Sequence, residues 1–270
     1  MLTPEEEMML QEALDSESGT DAQALVPENS PTILIEDSTS RFSGATWYDK
    51  VREMQVSVLG VGGIGSNLAF LLSRLGIKRL IMYDPDVVEE ANMSGQLYRF
   101  SDIGVHKVEA ISNVIRSLSN YYSCYTDNNG YTASSSPTQI MMCGFDNMRA
   151  RKTAFDSWCR IMEYYNEKMR KESLFMDGRL NLEEFQIFAI QGDDDRAKNE
   201  YRDKWLFDDS QAEELECSRK QTTFMASMIA SVMVNIFTNF ITNLVEPLES
   251  RCVPFFTYYN AALMYNKMLL

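Results

Sequence analysis

Four glycines fall within the twelve residues 56–67, VSVLGVGGIGSN, directly after one apolar run and directly before another. Gly60, Gly62 and Gly65 satisfy the spacing GxGxxG, and Gly63 is an additional glycine between them. Residues without a β-carbon let the backbone turn tightly and approach a phosphate, and the N-terminus of a following helix offers unpaired N–H groups to that anion. Asp84 ends the next apolar run, 19 residues beyond Gly65, where a carboxylate can accept hydrogen bonds from ribose hydroxyls. Strand, turn, helix, strand and acid fall in order, which implies a nucleotide site. The default occupant of this fingerprint is the NAD or FAD of an oxidoreductase.

The residues that follow argue against that default. DPDVVEEANMSGQLYRFSDIGVHKV runs from Asp84 through Asn92 and Gln96 to Lys107, and a second acidic strand end, CGFDNMRAR, brings Asp146, Asn147 and Arg151. A dinucleotide enzyme has no reason to follow its ribose acid with this series. The series resembles that of the ubiquitin-activating-type adenylating enzymes, which include ThiF and MoeB, activators of sulfur-carrier proteins. There the pattern is GxGGxGS, an Asp after the second strand, NxxRQ, a Lys in G-x-x-K, and Asp-Asn with an Arg shortly after. This chain matches with Gly60, Gly62, Gly63, Gly65 and Ser66; Asp84; Asn92 and Gln96; Gly104 and Lys107; and Asp146, Asn147 and Arg151. Upstream, RFSGATWYDK looks like the family's opening Arg-aromatic element, with Arg41 as its Arg. The resemblance is good over about 41–177 and looser beyond.

The resemblance implies a reaction in which ATP adenylates a carboxylate, usually the C-terminal glycine of a small ubiquitin-like or sulfur-carrier protein, with loss of pyrophosphate. It implies that Asp84 holds the ribose, that Lys107 and the Arg41 of a second subunit face the phosphates in a homodimer, and that Asp146 holds Mg²⁺, an ion that commonly takes one or two carboxylates plus phosphate oxygens. Cys217, in ELECSRKQTTFMAS, occupies the place where many relatives carry an acyl-accepting or sulfur-transferring cysteine. Arg219 and Lys220 close by would favour its thiolate, and the alternative is an unreactive loop thiol. Arg179 in MDGRLNLEEFQIF would contact the incoming carboxyl tail, or the motif is simply a turn at Asp177-Gly178. One departure matters: Gly95 stands where the family has Arg, and Arg99, one helical turn on, is the candidate substitute. The other readings are a catalytically reduced family member used as a binding module, and an NAD- or FAD-dependent oxidoreductase.

The elements that must position these residues alternate. A helix around ATWYDKVREM leads to the strand QVSVLGV, the glycine turn, a helix SNLAFLLSRLG and the strand RLIMYDPD. A helix KVEAISNVIRSLSN, a weak strand near YYSCYTD, the strand TQIMMCGFD and a long helix from Met148 to about Lys171 follow. Then come strands SLFMDGRL and EFQIFAI, a polar stretch 191–211 with GDDD as a solvated loop, an uncharged helix, and a hairpin FFTYYNAALMYNKML. This order predicts an α/β fold: a Rossmann-like, mostly parallel sheet with helices on both faces and antiparallel strands toward the C-terminus. The uncharged segment 224–245 is long enough to span a bilayer. However, Ser227, Ser231, Asn235, Asn239 and Asn243 recur at every fourth position, which suits a buried core helix whose polar groups find partners, not a lipid-facing one.

Composition sets the outer bounds. Of the net charge of −14, a large share belongs to residues 1–40, which hold ten acids and no Lys or Arg. That segment reads as an acidic arm with a short helix from Thr3 to about Leu14, attached to an adenylation domain over 41–270. The rest is only weakly acidic, so a nucleic-acid footprint is not expected. The five cysteines include no CxxC pair and there is a single histidine, His106, which argues against a zinc site or a disulfide scaffold. With no basic region before an apolar core at the N-terminus, a cytoplasmic, reducing setting is expected.

Overall fold

A computed structural model describes residues 41–207, 222–248 and 250–270. The acidic arm and Cys217, Arg219 and Lys220 lie outside the described residues. Eight strands form one sheet: β1 Gln55–Leu59, β2 Arg79–Tyr83, β3 Cys124–Asp127, β4 Ile140–Cys143, β5 Leu174–Asn181, β6 Glu184–Gln191, β7 Phe256–Asn260 and β8 Tyr265–Leu269. Their order across the sheet is β3-β2-β1-β4-β5-β6-β7-β8. The first five pair in parallel, Val56 opposite Leu80 and Ile140. From β5 onward every pairing is antiparallel.

The helices are α1 Tyr48–Val51, α2 Gly63–Leu75, α3 Lys107–Ser119, α4 Met148–Tyr164, α5 Glu167–Lys171, α6 Asp195–Glu200 and α7 Thr223–Val245. Central strands buried on both faces read as continuous apolar runs, and alternation sorts their side chains between two layers. Val56, Val58, Leu80, Met82, Ile140, Met142, Leu174 and Met176 face α2, α3 and α7. Leu59, Tyr83, Met141, Cys143, Phe175 and Phe188 face α4 and α6, where Phe155, Trp158 and Tyr201 complete an aromatic core.

The uncharged helix α7 packs on α2, β5 and β6. Its apolar stripe, Met225, Ile229, Met233, Ile236, Phe237 and Phe240, is buried. Several of its polar residues have named partners: Ser227 donates to Asn67 Oδ1 at 2.9 Å, Asn239 to the Cys252 carbonyl at 2.9 Å, and Asn243 to the Arg251 carbonyl at 2.9 Å. By length and composition the helix passes for a span; its packing is that of a core helix.

Four local expectations change. The helix expected from Met148 to about Lys171 is two helices, because Asn166 caps a new one, its side chain accepting from Met169 N at 2.9 Å. The helix expected over ATWYDKVREM shrinks to the single turn of α1. In GDDD, Asp194 caps α6 by accepting from Ala197 N at 2.9 Å, and α6 continues as a π-helical turn over Tyr201–Trp205. Asp177-Gly178 is not a turn but the middle of β5; the hairpin turns at Leu182, which has φ +54°.

Candidate active site

The strand order reverses between β1 and β4, since β1 continues into β2 on one side and the chain returns to β4 on the other. In open parallel sheets the crevice at the carboxyl ends of the strands flanking such a reversal is where ligands bind. The glycine turn, Asp84 and Asp146 follow the ends of β1, β2 and β4.

Gly60 ends β1 with φ +80°, and its N–H donates to the Tyr83 carbonyl at 2.8 Å. A β-carbon on Gly65 would lie 1.8 Å from the Gly60 carbonyl oxygen, so only glycine lets α2 start this close to β1. Around Gly62, the N-cap of α2, the nearest atom to a β-carbon would be Gln96 Nε2 at 3.9 Å. This position opens toward the crevice. Gln96 Oε1 is buried with no hydrogen-bond partner among the described residues, an acceptor left over beside the turn. Ser66 fastens the same segment, its Oγ accepting from Leu97 N at 3.0 Å, and the Tyr98 hydroxyl donates to the Val61 carbonyl.

Asp84 follows β2 and is 5% exposed. Its Oδ2 accepts from Val61 N at 2.8 Å and its Oδ1 from Asp86 N at 2.9 Å, which ties the acid to the glycine turn while leaving each oxygen a further lone pair. Burial pushes its carboxyl above the ordinary aspartate value, with the Lys107 charge the largest opposing influence. Because the folded value lies above the unfolded one, this acid adds stability on the acid side, and the contribution is lost as pH rises through the folded value. Lys107→Met is therefore expected to move the Asp84 titration further up, read by carboxyl carbon NMR; an unmoved titration would mean the ammonium does not act on Asp84.

Lys107 opens α3, and its Nζ pairs with Asp86 Oδ2 at 2.8 Å; the lysine side chain is 10% exposed and the aspartate 63%. Asn92 caps a 3-10 turn over Glu90–Ser94, its Oδ1 accepting from Glu89 N at 2.9 Å. Gly95 is buried, and Arg99 does not stand in for a cation there. The chain past Gly95 is not a helical turn, and the Arg99 guanidinium pairs with Asp102 at 2.8 Å. Arg41 is exposed at the start of the described chain.

At the end of β4, Gly144 N donates to the Leu59 carbonyl at 2.8 Å, which sets the loop against the glycine turn. Asp146 is exposed, and its Oδ1 accepts from Asn147 Nδ2 at 3.1 Å, while Asn147 Oδ1 caps α4 by accepting from Ala150 N at 2.8 Å. Among the described residues no group of three His, Cys, Asp or Glu could hold a metal. A single exposed carboxylate in the loop set against the glycine turn would fit magnesium, which commonly fills its other positions with water and phosphate oxygens.

Arg151 lies in a buried cluster. Expected against the nucleotide, it is 6% exposed, its Nη1 donating to Asp177 Oδ1 at 2.8 Å and its Nη2 to the Phe145 carbonyl. Arg179 likewise faces inward, its Nε donating to Asp177 Oδ2 at 2.7 Å. The row of strand ends also contains Asp127, the last residue of β3, and Asn129 just after it, which spacing did not single out. Asp84 N donates to the Asp127 carbonyl at 3.2 Å, and Asn129 N to Asp127 Oδ1 at 2.9 Å. The available signal was their place after a weak strand pairing with β2.

The family model described as "ThiF family" matches residues 36–267. Ubiquitin-like modifier-activating enzyme 5 of Xenopus laevis is 34% identical over 121 residues, 38% of this chain and 30% of that protein. The Gallus gallus enzyme of the same name is 32% identical over 153 residues, 48% of this chain and 38% of that protein. The chain thus spans about a third of the length of the curated relatives it matches. Among solved structures, E. coli MccB with MccA-N7isoASN superposes with a TM-score of 0.64 at 16% identity, covering 89% of this chain and 72% of that one, a likeness of fold. The same enzyme is also known with ATP.

Proposed function

Because the chain belongs to the ThiF family, we propose that it uses ATP to adenylate the C-terminal carboxylate of a small ubiquitin-like or sulfur-carrier protein. The observation that carries the reading is the convergence, at the carboxyl ends of β1, β2 and β4, of a glycine turn closed to side chains, a buried ribose-type acid, a lysine and an exposed carboxylate. In the reaction a carboxylate oxygen bonds to the α-phosphorus of ATP and the bond to the bridging oxygen breaks, so that pyrophosphate leaves. Charge gathers on phosphate oxygens and no proton need move, so catalysis is placement and charge stabilisation.

In this reading the Gly60–Gly65 turn and the N-terminus of α2 receive the phosphates, and Asp84 accepts from the ribose. Asn92 holds its segment in place while Gln96 offers its spare acceptor to the nucleotide. Lys107 exchanges Asp86 for a phosphate, one anionic partner for another, so its buried ammonium stays paired. Asn147 orients Asp146, which would hold Mg²⁺, and magnesium when bound neutralises phosphate oxygens. Arg41 completes the site from a second copy of the chain in a homodimer. The setting of this reading is reducing and cytoplasmic. Cys217 then takes the acyl group: its thiolate attacks the carbonyl carbon, the bond to AMP breaks, and a thioester remains.

The named relatives support a small-protein acceptor. Gly95, with Arg99 committed to Asp102, favours one other reading, a nucleotide-holding module with reduced catalysis. ATP–pyrophosphate exchange with candidate carriers ending in Gly-Gly separates them. Carrier-dependent exchange supports adenylation; ATP binding without exchange supports the module; a purified protein carrying a nicotinamide or flavin refutes both. Cys217→Ala that exchanges normally but forms no thiol-sensitive adduct assigns the second step, and a persisting adduct removes Cys217 from it.

A further inference from the structure

Beneath the crevice, in the middle of β5 and opposite Cys143 of β4, Asp177 is wholly buried. Its Oδ1 takes Arg151 Nη1 at 2.8 Å; its Oδ2 takes Arg179 Nε at 2.7 Å and the Tyr201 hydroxyl at 2.8 Å. Neither arginine ends there. Arg151 reaches on to the carbonyl of Phe145, the residue immediately before Asp146. Arg179 reaches on to the carbonyl of Trp205 at 2.9 Å and lies over the Phe188 ring at 4.7 Å. One carboxylate thus joins the loop after β4, the sheet and the α6 layer.

Stability does not account for this cluster. Desolvating three charges is costly, and well-packed apolar side chains of similar volume often serve as well or better. Arg151 also sits in the first turn of α4, where the helix dipole disfavours a cation and the turn has no acid to offset it. What the cluster provides is a fixed position for the Phe145 carbonyl. Asp146 is then held from both sides, by its preceding carbonyl through Arg151 and by its following amide through Asn147.

We propose that Asp177 and Arg151 are positioning residues that fix the Phe145–Asn147 segment and so set Asp146 at the mouth of the crevice, an inference that rests on the magnesium assignment above. Groups that orient a metal ligand without touching the ion typically change metal affinity 10- to 100-fold when altered. Asp177→Asn keeps the shape but sets an amide N–H against one arginine. Arg151→Lys keeps the charge, but a lone ammonium cannot hold both Asp177 and the Phe145 carbonyl. If Asp177→Asn does not fold, Arg151→Lys carries the test.

The test is amide hydrogen exchange of the full chain together with the magnesium concentration for half-maximal pyrophosphate exchange. The expected result is faster exchange at Ala150 and the residue after it, whose N–H groups bond Asn147, unchanged protection in β1, α2 and α7, and a magnesium requirement raised about 10- to 100-fold with metal-free ATP affinity unaltered. Unchanged protection at 150–151, a uniform loss across the sheet, or an unmoved magnesium requirement overturns it. Asp146→Ala in the same assay separates the premises. If it leaves the requirement unmoved, the magnesium assignment fails, and the exchange pattern alone decides whether the cluster holds the loop.

Discussion

Gly65→Ala is expected to cost at least about 3 kcal/mol, the upper part of the range for forcing extra atoms into a packed site. The added carbon would lie 1.8 Å from the Gly60 carbonyl oxygen and 2.8 Å from the carbon of the same group. Both are backbone atoms, so no side chain can rotate out of the way. Relief requires α2 to withdraw from β1, and with it the Leu68 and Leu72 side chains, both fully buried. Gly62→Ala is the comparison, because its added carbon meets nothing closer than 3.9 Å. It should cost less than Gly65→Ala. A denaturant midpoint for each variant checks the pair; similar midpoints would show that α2 is free to shift and that the turn is not the constraint described.

Asp146→Ala should leave the fold intact and remove most of the activity. The residue is exposed and its side chain accepts from its neighbour Asn147, so the stability change should fall within about 0.5 kcal/mol. Loss of a group that stabilises developing charge costs catalysis on the order of 10²- to 10³-fold, and pyrophosphate exchange is expected to fall by that much. The drop should appear in the exchange rate at saturating carrier, since Asp146 is proposed to serve the phosphates and not the carrier surface. Exchange within twofold of the parent, in a protein with an unchanged melting curve, would remove Asp146 from the mechanism.

How far the sequence carries differs by residue for physical reasons. The positions of the glycine turn, Asp84 and Asp146 are legible because they fall at fixed distances from strand ends, and strand ends follow from apolar runs bounded by turn residues. The two layers are legible for the same reason, and α7 was readable as core because its amides recur on one side of a helix. Arg151 and Arg179 were not legible as a buried cluster. A charged side chain in a motif does not declare its direction, and only the pairing of β4 with β5 brings Asp177 beneath Phe145. The signal was present in SLFMDGRL, a charged pair inside an otherwise apolar run; reading it as a turn explained the charges without asking what would satisfy them inside a strand. The break before α5 escaped because EKMRK, the residues after Asn166, are all good helix formers and continue a helical composition across the cap.

The aromatic layer has an optical consequence. The chain has three tryptophans; Trp47 packs with the α2 and α7 layer, whereas Trp158 and Trp205 belong to the other. Trp158 is fully buried, and Trp205 stacks on Phe256 at 5.2 Å with its carbonyl held by Arg179. Intrinsic emission is therefore weighted toward the side of the sheet that carries the Asp177 cluster. Far-ultraviolet dichroism sees both layers, so a denaturation curve followed by both signals distinguishes loosening of that one layer from collapse of the whole sheet, and does so without any added label.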